Sequence, residues 1–447
     1  MCIANPILMI PKDAAIRLSP EDIPKKWYNL MADLPKKPDP PMNPRTGKPA
    51  GPEDLSPLFC DSILRQEVSL EKHIRIPEEV RENLIYLNRP APLQRAYRLE
   101  RYLKTPAKIY FKREDMSPLG SHKGNTALAQ AYYNMKDGVE NLTTETGAGQ
   151  WGTALAMSCN LFGIGCTVFM VRGSYDQKPA RKTVMNLYNA TVHASPSDKT
   201  EYGRRVLKAT PNTVGSLGIA ISEACDMAIH HKNTKYALGS VLNHVMLHQT
   251  VIGLETIEQM KIGEIEPDCM IACAGGGSNF AGFAFPLMGK KIKGKTDCEF
   301  LAAESDAAPS MTSGEYKYDL GDTGGFTPEL MMYTMGHDFI PSPVHAGGLR
   351  YHGMAPLVSA ALDQGFMTAR SYSQPDTFRA GKIFAETEGI IAAPESCHAI
   401  KAAIDKALEY KASKEEKTIV FCLSGHGLLD LNGYEKFLAG KLEESAV

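Results

Sequence analysis

Cys269-Met270-Ile271-Ala272-Cys273-Ala274-Gly275-Gly276-Gly277-Ser278-Asn279 decides how this chain is read. Six apolar residues in a row suit a strand buried on both faces, and three glycines then end it with no side chain in the way. An apolar, helix-like run follows from Phe280. Strand, triglycine, Ser-Asn and helix in that order gather backbone amides and a helix N-terminus around one spot, which suits a phosphate better than a mere flexible turn. The segment has neither the Gly-Lys-Ser/Thr of a Walker loop nor Gly-x-Gly-x-x-Gly, so a nicotinamide cofactor is not expected.

Outward from this stretch, short apolar runs alternate with longer amphipathic ones from about residue 107. Strands are expected over Ala107–Phe111, Cys166–Val171, Thr191–Ala194, Cys269–Ala274, Phe300–Glu304 and Thr418–Leu423. Helices are expected over Gly149–Phe162, Ser216–His231, His248–Lys261, Thr377–Thr387 and Ser396–Lys411. This alternation implies an α/β protein whose parallel sheets are covered on both faces and whose ligands sit beyond the carboxyl ends of strands.

Lys123, in Gly120-Ser121-His122-Lys123-Gly124-Asn125, follows such a run and precedes a helical one from Thr126 to Met135. Burial there lowers a lysine pKa and leaves an amine able to condense with a carbonyl such as that of pyridoxal 5′-phosphate, PLP. Alone, it reads as a surface lysine opening a helix; with the phosphate cup downstream, PLP becomes the better reading. In Thr144-Glu145-Thr146-Gly147-Ala148-Gly149-Gln150-Trp151-Gly152, small residues again open a helix whose amides could hold a carboxylate. Glu145 stands at its lip, where a closed site would raise its pKa into the range useful for acid and base work; a solvated helix-start acid is the plainer alternative. Ser424-Gly425-His426-Gly427 follows Thr418–Leu423 and could bring a hydroxyl to a cofactor's ring nitrogen.

With 447 residues, 43% of them hydrophobic, and 49 basic against 51 acidic side chains, the composition is that of a globular protein with at least one large core. A net charge of −2 recommends neither nucleic acid nor membrane as a partner and favours small molecules. The start lacks a basic flank, and Ile7 to Ile10 is too short for a secretory or membrane segment, so a cytoplasmic location is expected. The ten cysteines include no Cys-x-x-Cys, and no His/Cys pairs show ligand spacing, so reduced core thiols and no metal site are expected. Residues 35 to 57 hold Pro35, Pro38, Pro40, Pro41, Pro44, Pro49, Pro52 and Pro57 and read as an extended arm of unassigned role.

Together these segments resemble the tryptophan synthase beta chain, a fold-type II PLP enzyme, over about residues 88 to 435. The resemblance is carried by Arg89-Pro90-Ala91-Pro92-Leu93, Lys112-Arg113-Glu114-Asp115, the motifs around Lys123 and Glu145, the triglycine, Glu388-Gly389-Ile390-Ile391 leading to Glu395-Ser396, and Ser424-Gly425. It implies two three-layer α/β/α domains with parallel sheets and the active site between them. An extension over 1–88 would precede a smaller domain over 89–245, with a mobile closing region near 135–227, and a larger phosphate-binding domain over 246–447.

The activity implied is PLP-dependent β-replacement, joining L-serine to indole to give L-tryptophan. Lys123 would form the Schiff base and move the Cα proton. His122, Asn125, Gly275, Gly276, Gly277, Ser278 and Asn279 would hold the cofactor, with Ser424 facing its ring nitrogen and Glu395 beside the ring. Glu145 would protonate the departing group and assist indole attack, while Thr146, Gly147, Ala148, Gly149 and Gln150 would hold the donor's carboxylate. The resemblance further implies a homodimer, an alpha chain as a candidate partner and a monovalent cation as a candidate second cofactor.

Three departures make the chain similar to the divergent second branch of that family: the long arm, Trp151 where the commoner branch has a histidine, and Arg350 in His345-Ala346-Gly347-Gly348-Leu349-Arg350-Tyr351 where it has an aspartate. A guanidinium prefers anionic oxygens, so O-phospho-L-serine is weighed against L-serine as the donor with Arg350 as its contact; the plainer alternative pairs Arg350 with a carboxylate. Trp151 reads equally as the wall of an indole pocket or as core. His248 reads as structural. Two other functions stay open: another fold-type II β-eliminase such as a serine or threonine deaminase, and a PLP-fold scaffold without turnover. His122 before Lys123 and the Glu145–Gln150 loop argue against the first, intact Lys123 and Glu145 against the second.

Overall fold

Two parallel sheets organise the chain in the computed structural model, which describes residues 14–442. The larger has seven strands in the order Ala15–Ile16, Leu93–Arg95, Lys108–Arg113, Thr418–Leu423, Cys269–Cys273, Glu299–Ser305 and Thr368–Tyr372. The last five run parallel, and Leu93–Arg95 pairs antiparallel with both its neighbours, Ala15–Ile16 and Lys108–Arg113. The smaller sheet is all parallel, in the order Thr191–Ser195, Gly165–Val171, Asn141–Thr146 and Thr234–Tyr236.

Strand pleating explains why the large sheet is dry on both sides. Met270, Ala272, Val420 and Cys422 enter one core cluster, while Ile271, Cys273, Ile419 and Phe421 enter another on the opposite face. Helices such as Ser278–Ile292 and Pro394–Ser413 supply the facing apolar residues. On the second face Phe111 stacks on Phe421 at 5.6 Å and meets Phe384 edge-on at 5.2 Å. Each such buried ring stabilises the sheet by roughly 1.5–3 kcal/mol.

The expected strands and helices are present with ends shifted by a few residues, with one exception. The helix expected over His248–Lys261 is two, Asn243–Gln249 and Val251–Ile262. They meet at Thr250, whose hydroxyl donates to Leu247 O at 2.6 Å and accepts from Tyr28 N at 3.0 Å. The periodicity also misses Leu93–Arg95, Thr234–Tyr236, Thr368–Tyr372 and the hairpin of Glu315–Leu320 with Glu329–Thr334.

Sheet membership cuts across the division expected between 89–245 and 246–447. Leu93–Arg95 and Lys108–Arg113 pair into the large sheet with C-terminal strands, and the Phe111–Phe421 stack is the packing reason. Nor is the N-terminal extension merely an arm: Ile23, Trp27 and Leu30 are buried, and Ala15–Ile16 adds a strand. The proline-rich stretch is largely irregular, with one short helix at Pro52–Leu55 and a bridge from Met42 to Glu329. Nine cysteines, Cys60 to Cys422, are free and buried; Cys2 and the run Ile7 to Ile10 lie outside the described residues. No helix among the described residues is long and apolar enough to cross a membrane.

Candidate active site

Three adjacent strands of the large sheet end at one place, which is why residues far apart in sequence meet there. Lys108–Arg113 leads to Lys123, Thr418–Leu423 to Ser424 and Cys269–Cys273 to the triglycine. Bridges between Ser121 and Gly425 and between Ala392 and His426 tie the loops together.

The triglycine leaves room for nothing larger than glycine. A Cβ at Gly275 would lie 2.2 Å from Gly348 O, and one at Gly276 would lie 2.7 Å from Ser240 Oγ. Gly277, at φ +102°, turns the chain into the 15-residue helix that begins at Ser278. His122 is buried, with Nε2 3.2 Å from Ser278 Oγ; burial first and the Lys123 charge second hold its pKa well below the ordinary value, so the ring is neutral. Asn279 braces the turn by donating to Cys273 O at 3.2 Å. Bare amides, a helix N-terminus, a neutral imidazole and a lysine ammonium make a donor set that fits a phosphate ester bearing an aldehyde.

Lys123 Nζ donates to Gly239 O at 2.6 Å and Ser278 Oγ at 2.9 Å. Burial lowers its pKa to about 8, against the opposing pull of Cys273, Glu145 and Glu395, so about a tenth is free amine at pH 7, far more than for an ordinary lysine. Ser424 Oγ is 2.6 Å from Ser396 Oγ and 3.4 Å from Cys273 Sγ, so a hydroxyl and a thiol are its side-chain partners. Glu395 accepts from Gly348 N at 2.9 Å and Gln150 Nε2 at 3.1 Å.

Asn125 does not point into the site. Its side chain joins a buried network behind Lys123, accepting from Arg89 at 3.0 Å and donating to Gln249 at 3.0 Å and Glu114 at 3.4 Å. In that network Arg89 pairs with Glu114 and Glu255, and Lys112 with Glu255. Removing one partner of such a buried set costs about 3–5 kcal/mol, so Arg89 and Lys112 belong to the scaffold rather than to the chemistry.

Glu145 belongs to the strand Asn141–Thr146, not to a solvated helix start, and is buried. Tyr236 OH donates to its Oε2 at 2.5 Å, yet burial prevails and raises the pKa to about 7. The carboxyl therefore exists in both states near neutral pH, as proton transfer in both directions requires. Gly149, at φ +94°, starts the helix Gln150–Phe162. Trp151 lies at once in the core and on the cavity wall: its indole packs on Gly239 and its Nε1 donates to Thr144 Oγ1 at 2.6 Å.

A cavity of about 480 Å³ runs from Lys123, Glu145 and Gln150 past Trp151 and Tyr236 to Pro38, Pro40 and Pro41 of the arm. Much of its wall is apolar, with Phe59, Ile63, Leu217, Ile221, Leu238 and Val241. Arg350 lies beside it, in a narrow crevice with Gly147, Ser174, Ser216 and Gly347. The carboxylate pairing weighed for Arg350 is absent: Nη2 donates to Pro341 O at 3.2 Å and Nε has no partner among the described residues. Burial lowers its pKa, with no acid to offset the effect.

Sequence reasoning missed Tyr236, Gly239, Ser240 and Ser396. Gly239-Ser240 does follow a short strand, so the rule of inspecting strand ends would have reached them had Thr234–Tyr236 been recognised. His248 is bonded to Thr126 Oγ1 at 3.0 Å and Gln66 Oε1 at 2.6 Å, as a structural histidine would be.

Residues 84–425 match the pyridoxal-phosphate dependent enzyme family. Tryptophan synthase beta chain 2 of Methanothermobacter thermautotrophicus is 56% identical over 427 residues, 96% of this chain and 99% of that protein. The protein of the same name from Thermococcus kodakarensis is 56% identical, covering 94% and 95%; that from Aeropyrum pernix is 55% identical, covering 96% of each. Among solved structures, an L-serine ammonia-lyase from Rhizomucor miehei superposes with a TM-score of 0.58 at 14% identity, over 79% of this chain and 98% of that one. At that identity the likeness concerns the fold alone.

Proposed function

The chain belongs to the pyridoxal-phosphate dependent enzymes and, within them, to the tryptophan synthase beta chain 2 branch, and from this premise we propose a role for each side chain of the site. The protein is a PLP-dependent lyase of the tryptophan synthase beta type: it replaces the β-substituent of a serine donor with indole and yields L-tryptophan. The observation that best supports the assignment of roles is one cavity holding both a lysine with pKa about 8 and a carboxyl with pKa about 7 beside a triglycine cup.

Bound in that cup, PLP supplies the electron sink that makes the donor's Cα proton removable. Gly275 to Asn279 and His122 would hold its phosphate, Lys123 would bind its aldehyde until the donor's amine takes that place, Glu395 would lie beside its ring, and the Ser424 hydroxyl would face the ring nitrogen without charging it. Thr146 to Gln150 bind the donor's carboxylate and fix its Cα beside Lys123 Nζ, which takes the proton. Glu145 gives its proton to the departing oxygen and, now ionised, takes up the proton that indole sheds as its C3 attacks, while Lys123 returns the Cα proton. The balance is serine plus indole to tryptophan plus water. Apolar walls along the cavity exclude water and admit indole.

The donor is the finer question. Arg350 lies behind Gly147 with no acid partner among the described residues, an observation that favours a doubly charged leaving group such as that of O-phospho-L-serine. Comparing turnover of L-serine and O-phospho-L-serine with indole tests this. Arg350→Leu should depress use of the phosphorylated donor alone, and preference of the parent protein for L-serine would end the assignment. Formation of pyruvate without tryptophan would instead favour a deaminase. The same reading includes a homodimer in the cytoplasm, a monovalent cation as second cofactor and an alpha-type partner. The name "beta chain" borne by the relatives supports the last of these.

A further inference from the structure

An ion cluster outside the reacting groups joins the two sheets' units. Lys178 and Arg181, at the start of the helix Pro179–Leu187, reach one carboxylate, Asp430, on the loop that follows Ser424. Lys178 Nζ is 2.7 Å from Asp430 Oδ1 and Arg181 Nη2 is 2.9 Å from Oδ2; the three side chains are only 8%, 2% and 2% exposed. Three charges buried together return little stability for their desolvation, so what the cluster provides is geometry.

Two contacts carry that geometry to the Thr146–Gln150 loop. The stem of Arg181 lies against Gly149, where a Cβ would come within 2.8 Å of Arg181 Cβ. Lys178 Nζ also donates to His345 O at 3.3 Å. The segment from His345 continues to Gly347, whose carbonyl would lie 2.9 Å from a Cβ at Gly147, and to Gly348, which donates to Glu395. Asp430 thus grips both walls of the loop from the strand end that carries Ser424.

We propose that Asp430 is a positioning residue for the donor: through Arg181 and Lys178 it holds the Thr146–Gln150 loop at the separation from Lys123 and Ser424 that the amino acid carboxylate needs. The inference rests on assigning that loop to the carboxylate. Asp430→Asn keeps the shape but removes the one negative charge that lies between two buried cations, so the loop should drift. A displacement on the scale of 1 Å costs up to about 100-fold in a positioned reaction, and the expected rise in donor KM for Asp430→Asn is about 10- to 100-fold. The KM for indole should change far less, since Phe59, Ile63 and Val241 of the apolar wall lie outside the two contacts that this cluster makes.

The test uses holoenzyme and compares L-serine with L-serinamide, which lacks the carboxylate. The parent should prefer L-serine strongly, Asp430→Asn should lose most of that preference, and Asp430→Glu should recover part of it. Amide hydrogen exchange at residues 147–151 should quicken in Asp430→Asn and not in Asp430→Glu. If Asp430→Asn does not fold, Lys178→Met, which leaves the Arg181 pair intact, should show a smaller loss of the same preference. A variant that keeps the parent's preference while merely melting earlier would overturn the positioning role and leave the loop assignment standing. A parent that does not distinguish the two donors would remove the loop assignment and this inference with it.

Discussion

Glu145→Gln separates the stability of this site from its chemistry. Burial raises the Glu145 pKa from an ordinary 4.5 to about 7. Between those values the unfolded chain has released a proton that the folded protein still holds, so the parent loses stability as pH rises from about 4.5 and the loss levels off above 7. At 1.36 kcal/mol per pKa unit, the full effect is about 3 kcal/mol. Glutamine fills the same space, can accept from Tyr236 OH, and carries no such dependence. In urea unfolding of cofactor-free protein, the advantage of Glu145→Gln over the parent should therefore grow by about 2–3 kcal/mol between pH 5 and pH 8. The variant cannot deliver a proton to the departing oxygen, so condensation should fall by about 10²- to 10⁴-fold. A stability difference that is the same at both pH values would refute the buried-acid argument, whatever happens to the rate.

Tyr236→Phe removes a hydrogen bond that favours ionised Glu145. A bond to a charged group is worth about 1.5–3 kcal/mol, so the pKa should rise by about one unit or more, and the alkaline limb of the kcat profile should move up with it; an unmoved limb would mean that another group supplies the proton. Gly276→Ala places a Cβ 2.7 Å from Ser240 Oγ and 2.9 Å from Val241 Cγ2. Overpacking of about 1–3 kcal/mol should weaken PLP binding by roughly tenfold or more in an absorbance titration, and unaltered binding would show that the cup is elsewhere.

The parts of the site that could be read in the sequence are those whose signal is local. A continuous apolar strand followed by three glycines needs no distant partner to be understood; Ser424 closes an apolar run in the same way, and Lys123 lies between such a run and a helix. Residues whose meaning depends on a remote neighbour were not legible. Tyr236 acts on a glutamate 91 positions away and sits in a three-residue strand with no pattern of its own. Asp430 finds Arg181 across 249 positions, and nothing near either residue announces the pair. Asn125 is the converse case, a polar residue in the right motif whose side chain turns the other way because Arg89, Glu114 and Gln249 satisfy it. The strand Glu315–Leu320 is a different case: its side chains alternate polar and apolar, Glu, Tyr, Lys, Tyr, Asp, Leu, so its pattern was legible in the sequence although it is not among the expected strands. That Lys108–Arg113, in the stretch expected to belong to the smaller domain, lies between Leu93–Arg95 and Thr418–Leu423 is revealed only by tertiary pairing.

The central claim is that one amine of this protein carries the cofactor. Borohydride reduction of the holoenzyme, followed by proteolysis and mass spectrometry, locates that amine directly. The predicted result is a single pyridoxyl group, on Lys123, that disappears in Lys123→Ala. A label on Lys112 or any other lysine, or label retained by Lys123→Ala, would contradict the account.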